Sequence, residues 1–275
     1  MSENQPNETI AVITGGSRGI GRYLAEGFAT AGYHVALTAT SAGSARDSAA
    51  EIAAATGGAA SGFGLVVDDA GSVQAFRDDV RALEKETGRR LHVLVNNAGR
   101  IESTEGPLWE AEPESLAGVV GANVLGVALM INAFAPVLID NAQATGRLGR
   151  IVDLNSGSGA QGTPAYAVYS ASKAALFRIA DSVVKYGQDK GLRIFEMAPG
   201  VVQTEMTKSM PVHDSRTEAD WTSPEQVTDL ALALASGELD EFTGRFVRAG
   251  ADTRESLLVE AAAGLTDTSR RLVLG

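Results

Sequence analysis

A glycine-rich turn between a short apolar run and a helix constrains the fold of this chain most strongly. Ile10–Ile13 is apolar throughout, as expected of a buried parallel strand, and Tyr23–Ala31 has the pattern of a helix. Thr14-Gly-Gly-Ser-Arg-Gly-Ile-Gly21 lies between them. Glycines permit a tight turn and close approach of a pyrophosphate, and the free N–H groups of the following helix attract that anion. The chain is therefore predicted to begin with a dinucleotide-binding βα unit.

Strand and helix patterns alternate along the rest of the chain. Strands are predicted near 9–14, 34–39, 62–67, 91–95, 150–154, 192–197 and 244–248, and helices near 19–31, 43–55, 71–88, 112–141, 165–189 and 224–236. This alternation predicts an α/β fold: one doubly wound parallel sheet of about seven strands with helices on both faces. We expect a flexible N-terminus over 1–8, one domain over 9–250 and a C-terminal extension over 251–275 with a candidate helix at Arg254–Gly264.

A tyrosine and a lysine at helical spacing indicate carbonyl chemistry. Tyr169 and Lys173 lie one turn apart on the same helix face, so the ammonium is expected to lower the pKa of the phenol from about 10. Ser156, thirteen residues before the tyrosine, can hold a carbonyl oxygen against the phenol. A second pair, Tyr186 and Lys190, has no serine at that distance and is interpreted as a surface pair.

Six motifs in this order resemble the short-chain dehydrogenase/reductase family over about residues 8–250: the glycine turn, Asn96–Gly99, Asn123, Ser156, Tyr169 with Lys173, and Pro199-Gly200 with Thr204. The resemblance implies a catalytic tetrad of Asn123, Ser156, Tyr169 and Lys173. Tyr169 would exchange a proton with the substrate while hydride passes between a nicotinamide and the carbonyl carbon. Lys173 would bind the nicotinamide ribose, and Asn123 would place a water that links Lys173 to solvent.

The resemblance also implies where the dinucleotide binds. The expected contacts are Gly15, Ser17, Arg18, Gly19, Ile20, Gly21, Thr40, Ser41, Val67, Asp68, Asn97, Ala98, Gly99, Tyr169, Lys173, Pro199, Gly200, Val202 and Thr204. Val67 or Asp68 is expected near the adenine, although Asp68 could equally cap the following helix.

The end of the second strand bears on the choice of cofactor. An acidic residue there usually binds the adenosine ribose and excludes a 2′-phosphate, but His34–Ser41 contains no Asp or Glu. Arg18 supplies a cation for a phosphate, and Thr40 and Ser41 supply hydroxyl donors. Thr38–Ser41 resembles NADPH-dependent 3-oxoacyl-carrier-protein reductases of the same family. NADP(H) is therefore predicted in preference to NAD(H).

Composition excludes several other classes of function. The net charge of −11 argues against nucleic-acid binding and docking on anionic membranes, and the absence of cysteine excludes thiol catalysis. His34, His92 and His213 have no metal-ligand spacing, so no metal site is expected. Met1–Asn7 lacks the basic start and apolar core of a signal peptide, so a cytoplasmic location is expected.

One uncharged stretch, Leu116–Ile139, is long enough to span a bilayer. Asn123, Asn132 and Pro136 interrupt it, and no basic cluster flanks it, so it is predicted to be a buried helix. In the family that it resembles, this helix also packs against a second subunit, which implies a homodimer or a homotetramer.

The substrate is expected to be a small carbonyl or alcohol beneath a flap formed by residues 204–223. One alternative is reduction of a 3-oxoacyl group on an acidic carrier protein, for which Arg147, Arg150, Arg178 and Lys185 could supply a basic surface. The other is a non-catalytic NADP-binding regulator.

Overall fold

A parallel sheet forms the centre of the molecule in the computed structural model, which describes residues 5–208 and 210–273. Within those residues the sheet has seven strands in the order β3-β2-β1-β4-β5-β6-β7. Their bounds are Thr9–Ile13 (β1), His34–Ala39 (β2), Ala59–Gly64 (β3), Arg90–Asn96 (β4), Gly149–Leu154 (β5), Leu192–Ala198 (β6) and Phe246–Arg248 (β7). The order reverses between β1 and β4, which is where ligands bind in sheets of this kind.

Helices cover both faces of the sheet. They are Gly19–Thr30 (α1), Ala42–Thr56 (α2), Ala70–Thr87 (α3), Pro113–Val120 (α4), Val127–Thr145 (α5), Ala167–Gly187 (α6), Glu205–Lys208 (α7), Pro224–Ser236 (α8) and Arg254–Ala263 (α9). One apolar core lies beneath α1, α2 and α8, and includes Phe28 and Leu234. The other lies beneath α3, α5 and α6, and includes Phe76, Phe134 and Leu176. The predicted fold class is confirmed.

The predicted position of β3 was wrong by three residues. The apolar run Leu65–Val67 suggested a strand over 62–67, whereas β3 ends at Gly64. Its residues Gly62 and Gly64 are small because α2 packs closely on them: a Cβ atom on Gly62 would lie 2.0 Å from the Ala45 carbonyl oxygen. Leu65 follows the strand and is buried against the α3 and α5 side of the sheet.

The long uncharged stretch forms a helix over Pro113–Thr145 that is apolar enough to cross a membrane, but 56% of its most apolar window is buried inside the fold. Met130, Phe134 and Leu138 are fully buried against the sheet. A six-residue π-helical segment, Gly121–Gly126, interrupts it between α4 and α5. This wider turn contains Asn123, and such segments are frequent at functional sites.

The C-terminal extension folds back along the free edge of the sheet. The Phe246 N–H donates to the Arg270 carbonyl oxygen over 2.8 Å, so the tail satisfies one outward-facing backbone group of β7. The Arg270 guanidinium pairs with Asp252 and Glu260, and lies 5.7 Å from the Phe242 ring centroid. These contacts cover an edge that would otherwise present unpaired backbone groups.

Candidate active site

The predicted motifs meet at the carboxyl edge of the sheet. The glycine turn follows β1, Asn97 follows β4, Ser156 follows β5 and Pro199 follows β6. Because all these strands are parallel, their carboxyl ends lie along one edge. Residues as far apart in the sequence as Thr14 and Pro199 are thereby collected into a single cleft.

The glycine turn is held against the end of β4. The Thr14 hydroxyl accepts from the N–H groups of Asn97 and Ala98 over 3.0 Å each, and the Asn97 amide donates to the Thr14 carbonyl over 2.8 Å. Gly15 has φ +64°, and a Cβ atom on Gly21 would lie 2.2 Å from the Gly15 carbonyl oxygen. Only glycine fits these places, so the turn presents bare backbone at the start of α1.

The first turn of α1 fits a dinucleotide pyrophosphate. Its N-cap residue, Arg18, makes no side-chain cap, whereas Ser41 caps α2. The first N–H groups of α1 therefore have no side-chain acceptor, and together with the helix dipole they suit an anion. Ser17 lies in the glycine turn just before the N-cap, and Ile20, in the first turn of α1, packs against the core.

The loop after β6 closes the other side of this cleft. Gly200 has φ +72°, and a Cβ atom there would lie 1.9 Å from the Thr222 hydroxyl at the end of the predicted flap. Val202 is buried, and its carbonyl accepts from the Thr207 hydroxyl over 2.7 Å. Thr204 lies beside Gly19, because a Cβ atom on that glycine would be 3.6 Å from the Thr204 methyl carbon.

The residues predicted at the adenosine end lie at the surface. Thr40 and Ser41 are exposed where β2 ends, and Ser41 also accepts from the Ser44 N–H as the cap of α2. Arg18 is 82% exposed and pairs with Glu205 over 3.2 Å. An ion pair between groups this exposed contributes little, so it does not hold Arg18 away from a phosphate.

Val67 and Asp68 face the π-helical segment. A Cβ atom on Gly126 would lie 2.8 Å from a Val67 methyl carbon, and one on Gly121 would lie 2.7 Å from the Asp68 carboxylate. The alternative role of Asp68 as a helix cap was wrong. Asp69 caps α3, since its carboxylate accepts from the Ser72 N–H over 2.6 Å.

Asn123 is fully buried and ties three segments together. Its amide donates to the Arg100 carbonyl and to the Ser172 hydroxyl, each over 2.9 Å, and its oxygen accepts from the Arg100 N–H over 2.8 Å. The π-helical segment, the loop after β4 and the start of α6 are therefore joined by one side chain.

Ser156 is in place beside the tyrosine. Hydrogen bonding by its side chain lowers the pKa of the Tyr169 phenol, and its hydroxyl accepts from the Ser158 hydroxyl over 2.9 Å. The Ser156 N–H donates to the Asn155 side-chain oxygen over 2.7 Å. Of the two serines after β5, Ser156 therefore contacts Tyr169, and Ser158 supports it.

Lys173 is buried beneath Tyr169. Its ammonium donates to the Leu154 carbonyl and lies 5.7 Å from the centroid of the tyrosine ring. Burial lowers the pKa of Lys173 to about 8, and the charges of Glu196 and Asp153 oppose that shift. An ammonium with this pKa is still charged at neutral pH.

The expected lowering of the Tyr169 pKa was wrong for this structure. Burial of the phenol raises its pKa, the hydrogen bond from Ser156 lowers it, and the nearby negative charge of Glu102 raises it further. Burial outweighs the hydrogen bond, so the phenol is a weaker acid than an exposed tyrosine and keeps its proton at neutral pH.

Glu102 is a site residue that the sequence did not indicate. It is only 5% exposed, and its carboxylate accepts from the N–H groups of Val168 and Tyr169 over 2.7 and 3.2 Å. The N-cap position of α6 is Tyr166, with φ +59° and no side-chain cap, so Glu102 caps this helix from another loop. Several glutamates occur between residues 102 and 114, and no pattern distinguishes this one.

Glu105 links that loop to the predicted flap. Its carboxylate accepts from the Tyr166 hydroxyl over 2.9 Å and from the Val212 N–H over 3.1 Å. The start of α6 and the flap therefore share one carboxylate beside the cleft.

The site has the features of a dinucleotide-binding oxidoreductase: parallel strands, a glycine turn without a capping side chain, and convergent polar residues. Comparison with known proteins identifies the family. The family model described as short chain dehydrogenase matches residues 9–214. The chain belongs to the short-chain dehydrogenase family.

Individual relatives agree with that assignment. A 3-oxoacyl-[acyl-carrier-protein] reductase of Synechocystis is 30% identical over 252 residues, which cover 86% of this chain and 96% of the relative. A Pseudomonas aeruginosa structure described as an RhlG/NADP active-site complex is 26% identical with a TM-score of 0.77, covering 89% of this chain and 97% of the other. A 3-ketoacyl-(acyl-carrier-protein) reductase of Brucella melitensis complexed with NADH is 25% identical with a TM-score of 0.78, with the same coverage.

Proposed function

We propose that this protein is an NADP(H)-dependent oxidoreductase that interconverts a small-molecule carbonyl and an alcohol. The observation that carries this proposal is the convergence of Ser156, Tyr169 and Lys173 beside the glycine turn, with the Ser156 hydroxyl on the Tyr169 phenol. A carbonyl oxygen placed between these two hydroxyls has a donor for its developing negative charge and a source of a proton.

The bound nicotinamide supplies or accepts the hydride. The uncapped start of α1 binds the pyrophosphate, and Asn97, Ala98 and Gly99 line the cleft beside it. Lys173 and Tyr169 bind the nicotinamide ribose, next to Pro199, Gly200, Val202 and Thr204. Arg18, Thr40 and Ser41 can donate hydrogen bonds to a 2′-phosphate. The end of β2 has no carboxylate that would repel this phosphate. The complex of the Pseudomonas aeruginosa relative with NADP supports this choice, whereas the Brucella melitensis relative holds NADH.

Tyr169 delivers the proton during reduction. The phenol is protonated at neutral pH and can donate its proton to a carbonyl oxygen, but its raised pKa makes it a weaker donor, so the phenolate that it leaves must be stabilised. The Lys173 ammonium beneath the ring stabilises the phenolate left after transfer, and Ser156 stabilises the same charge through its hydrogen bond.

Reduction of a carrier-bound 3-oxoacyl group is the second candidate, because a reductase of this kind from Synechocystis is 30% identical. Arg150 does not supply the required surface: its side chain is 2% exposed and pairs with Asp240. Arg147 pairs with Glu8, and both arginines lie at the start of β5, opposite the cleft. The segment from the loop beside the cleft to the first turn of α4 presents four exposed carboxylates, Glu105, Glu110, Glu112 and Glu114. An acidic carrier would be repelled there, so a free small molecule is favoured.

The protein is further proposed to work as a homo-oligomer. Val120 and Leu125 are 47% and 48% exposed on the α4 and π-helical face, whereas the tail already covers the edge of β7. A dimer through the α4 and α5 face is therefore favoured over an assembly that needs the β7 edge. Sedimentation velocity, with Leu125→Glu as the variant expected to dissociate the dimer, distinguishes these assemblies.

Cofactor oxidation in two tyrosine variants tests the proposed activity. NADPH and NADH are offered with ketones, quinones, free β-ketoesters and a carrier-bound β-ketoacyl substrate. Tyr169→Phe should bind NADPH and lose nearly all turnover, whereas Tyr186→Phe, in the exposed Tyr-x-x-x-Lys pair, should match the unsubstituted protein. NADPH binding without turnover on any substrate would instead favour the non-catalytic regulator.

A further inference from the structure

Three neighbouring strands change from apolar to polar residues at the same level of the sheet. Asn96 on β4 is in register with Asp153 on β5, which is in register with Glu196 on β6. The preceding residues on that face are Leu94, Ile151 and Ile194, which belong to the apolar core beneath α5 and α6. Asp153 and Glu196 are both 0% exposed. The two carboxyl groups therefore lie side by side inside the protein, on the face that carries Lys173.

Each carboxyl group has one bonded oxygen and one without a hydrogen-bond donor among the described residues. The Asn96 amide donates to Asp153 Oδ1 over 2.7 Å, and the Asn155 amide donates to Glu196 Oε2 over 2.5 Å. Asp153 Oδ2 and Glu196 Oε1 are buried and have no partner. An unsatisfied buried carboxylate oxygen is costly, and two adjacent ones repel each other.

The charges around the pair indicate how many protons it holds. Lys173 and Asp181, both on α6, are the other charged groups that act on it, and Asn96 and Asn155 supply the neutral donors. One ionised carboxyl balances the Lys173 ammonium, whereas two leave an uncompensated buried charge, since Asp181 is itself paired with Arg178 and Arg271. Burial raises the pKa of both carboxyl groups, and the Asp153 charge raises that of Glu196 further.

We propose that Asp153 and Glu196 together hold one proton, and that the resulting singly charged pair positions the Lys173 ammonium from beneath the active site. The pair also reaches Ser156, because Glu196 holds the Asn155 amide and Asn155 Oδ1 accepts from the Ser156 N–H. Asp153 and Glu196 are positioning residues, since they act through Lys173 and Asn155. The proton comes from solvent when the chain folds and stays with the pair while Tyr169 exchanges its own.

Infrared spectroscopy tests the shared proton without any turnover. The unsubstituted protein at pH 7 should show the carbonyl absorption of a protonated carboxylic acid. Asp153→Asn and Glu196→Gln should each abolish it, because the remaining carboxyl then ionises opposite Lys173. Asp47→Asn, at an exposed position on α2, should leave it unchanged. Absence of the absorption in the unsubstituted protein would overturn the proposal whether or not the variants fold, and so would its persistence in both single variants.

The pH dependence of NADPH binding tests the effect on Lys173, and this arm rests on the proposed function. Affinity should fall at high pH as Lys173 loses its proton. In Asp153→Asn and in Glu196→Gln, this fall in affinity should occur at the same pH as in the unsubstituted protein. In the double variant it should occur at lower pH, because Lys173 then has no negative charge beside it. A fall that moves to lower pH in each single variant would contradict the proposal, because replacing one carboxyl would then have removed negative charge from the pair. If the affinity for NADPH does not fall at high pH, the proposed effect on Lys173 is contradicted. The infrared experiment tests the shared proton independently of that result.

Discussion

Glu102 provides the sharpest test of how the site is held, because its carboxylate caps the helix that carries Tyr169. In Glu102→Ala, the N–H groups of Val168 and Tyr169 lose a buried acceptor. An unsatisfied buried donor costs about 1–3 kcal/mol and a lost helix cap about 0.5–2 kcal/mol, and the two overlap. We therefore expect the free energy of unfolding to fall by about 2–4 kcal/mol. Glu102→Gln keeps an acceptor oxygen and loses only the charge near the helix N-terminus, so it should cost about 1 kcal/mol.

The same pair of variants separates the cap from the charge. The Glu102 carboxylate raises the pKa of Tyr169, so Glu102→Gln should lower that pKa. Alcohol oxidation needs the phenolate as base, and its rise with pH should therefore begin at lower pH in this variant. Urea denaturation and the pH profile of alcohol oxidation measure the two effects, with Glu110→Gln as the exposed control. This reasoning would be refuted if Glu102→Ala were as stable as the unsubstituted protein. It would also be refuted if alcohol oxidation by Glu102→Gln began to rise only at higher pH.

Three further substitutions test separate parts of the structure. Arg18→Ala should weaken NADPH binding about 10–100-fold, because a charge-assisted hydrogen bond worth about 1.5–3 kcal/mol is lost, and should leave NADH binding unchanged. Titration with both cofactors measures this, and equal losses of affinity would show that Arg18 does not contact the 2′-phosphate. Gly21→Ala places a Cβ atom 2.2 Å from the Gly15 carbonyl oxygen, so calorimetry should detect no NADPH binding, and normal affinity would contradict the geometry. Arg150→Ala leaves the Asp240 charge without its partner and should lower the free energy of unfolding by about 3–5 kcal/mol; denaturation midpoints measure the loss, and a negligible change would show that the pair is not stabilising.

The sequence predicted the arrangement of the strands because apolar runs and glycine turns are local signals. It failed at β3, where contact with α2 selects small residues and leaves no apolar pattern. The strand therefore ended at Gly64 although the apolar residues continue to Val67. Close packing between elements that are distant in the chain overrode the local preference.

In the candidate site, too, residues fixed by local sequence could be predicted and residues fixed by long-range contacts could not. Ser156, Tyr169 and Lys173 were identifiable because their spacing is fixed by one strand end and one helix. Glu102 was not, because its role depends on a loop that folds against the start of α6. Asp153 and Glu196 did leave a signal, since each is a single acid within an apolar strand. The direction of the Tyr169 pKa could not be read from spacing, because burial decides it.

Substrate-dependent NADPH oxidation by Tyr169→Phe, with NADPH affinity measured on the same sample, tests the central claim most directly. The variant should still bind NADPH, losing at most the contact of the Tyr169 hydroxyl with the ribose, and should lose nearly all turnover, because the proton donor is gone while the rest of the cleft is intact. Turnover retained within a few-fold, with unchanged affinity for NADPH, would contradict the assignment of Tyr169 as the proton donor and with it the proposed mechanism.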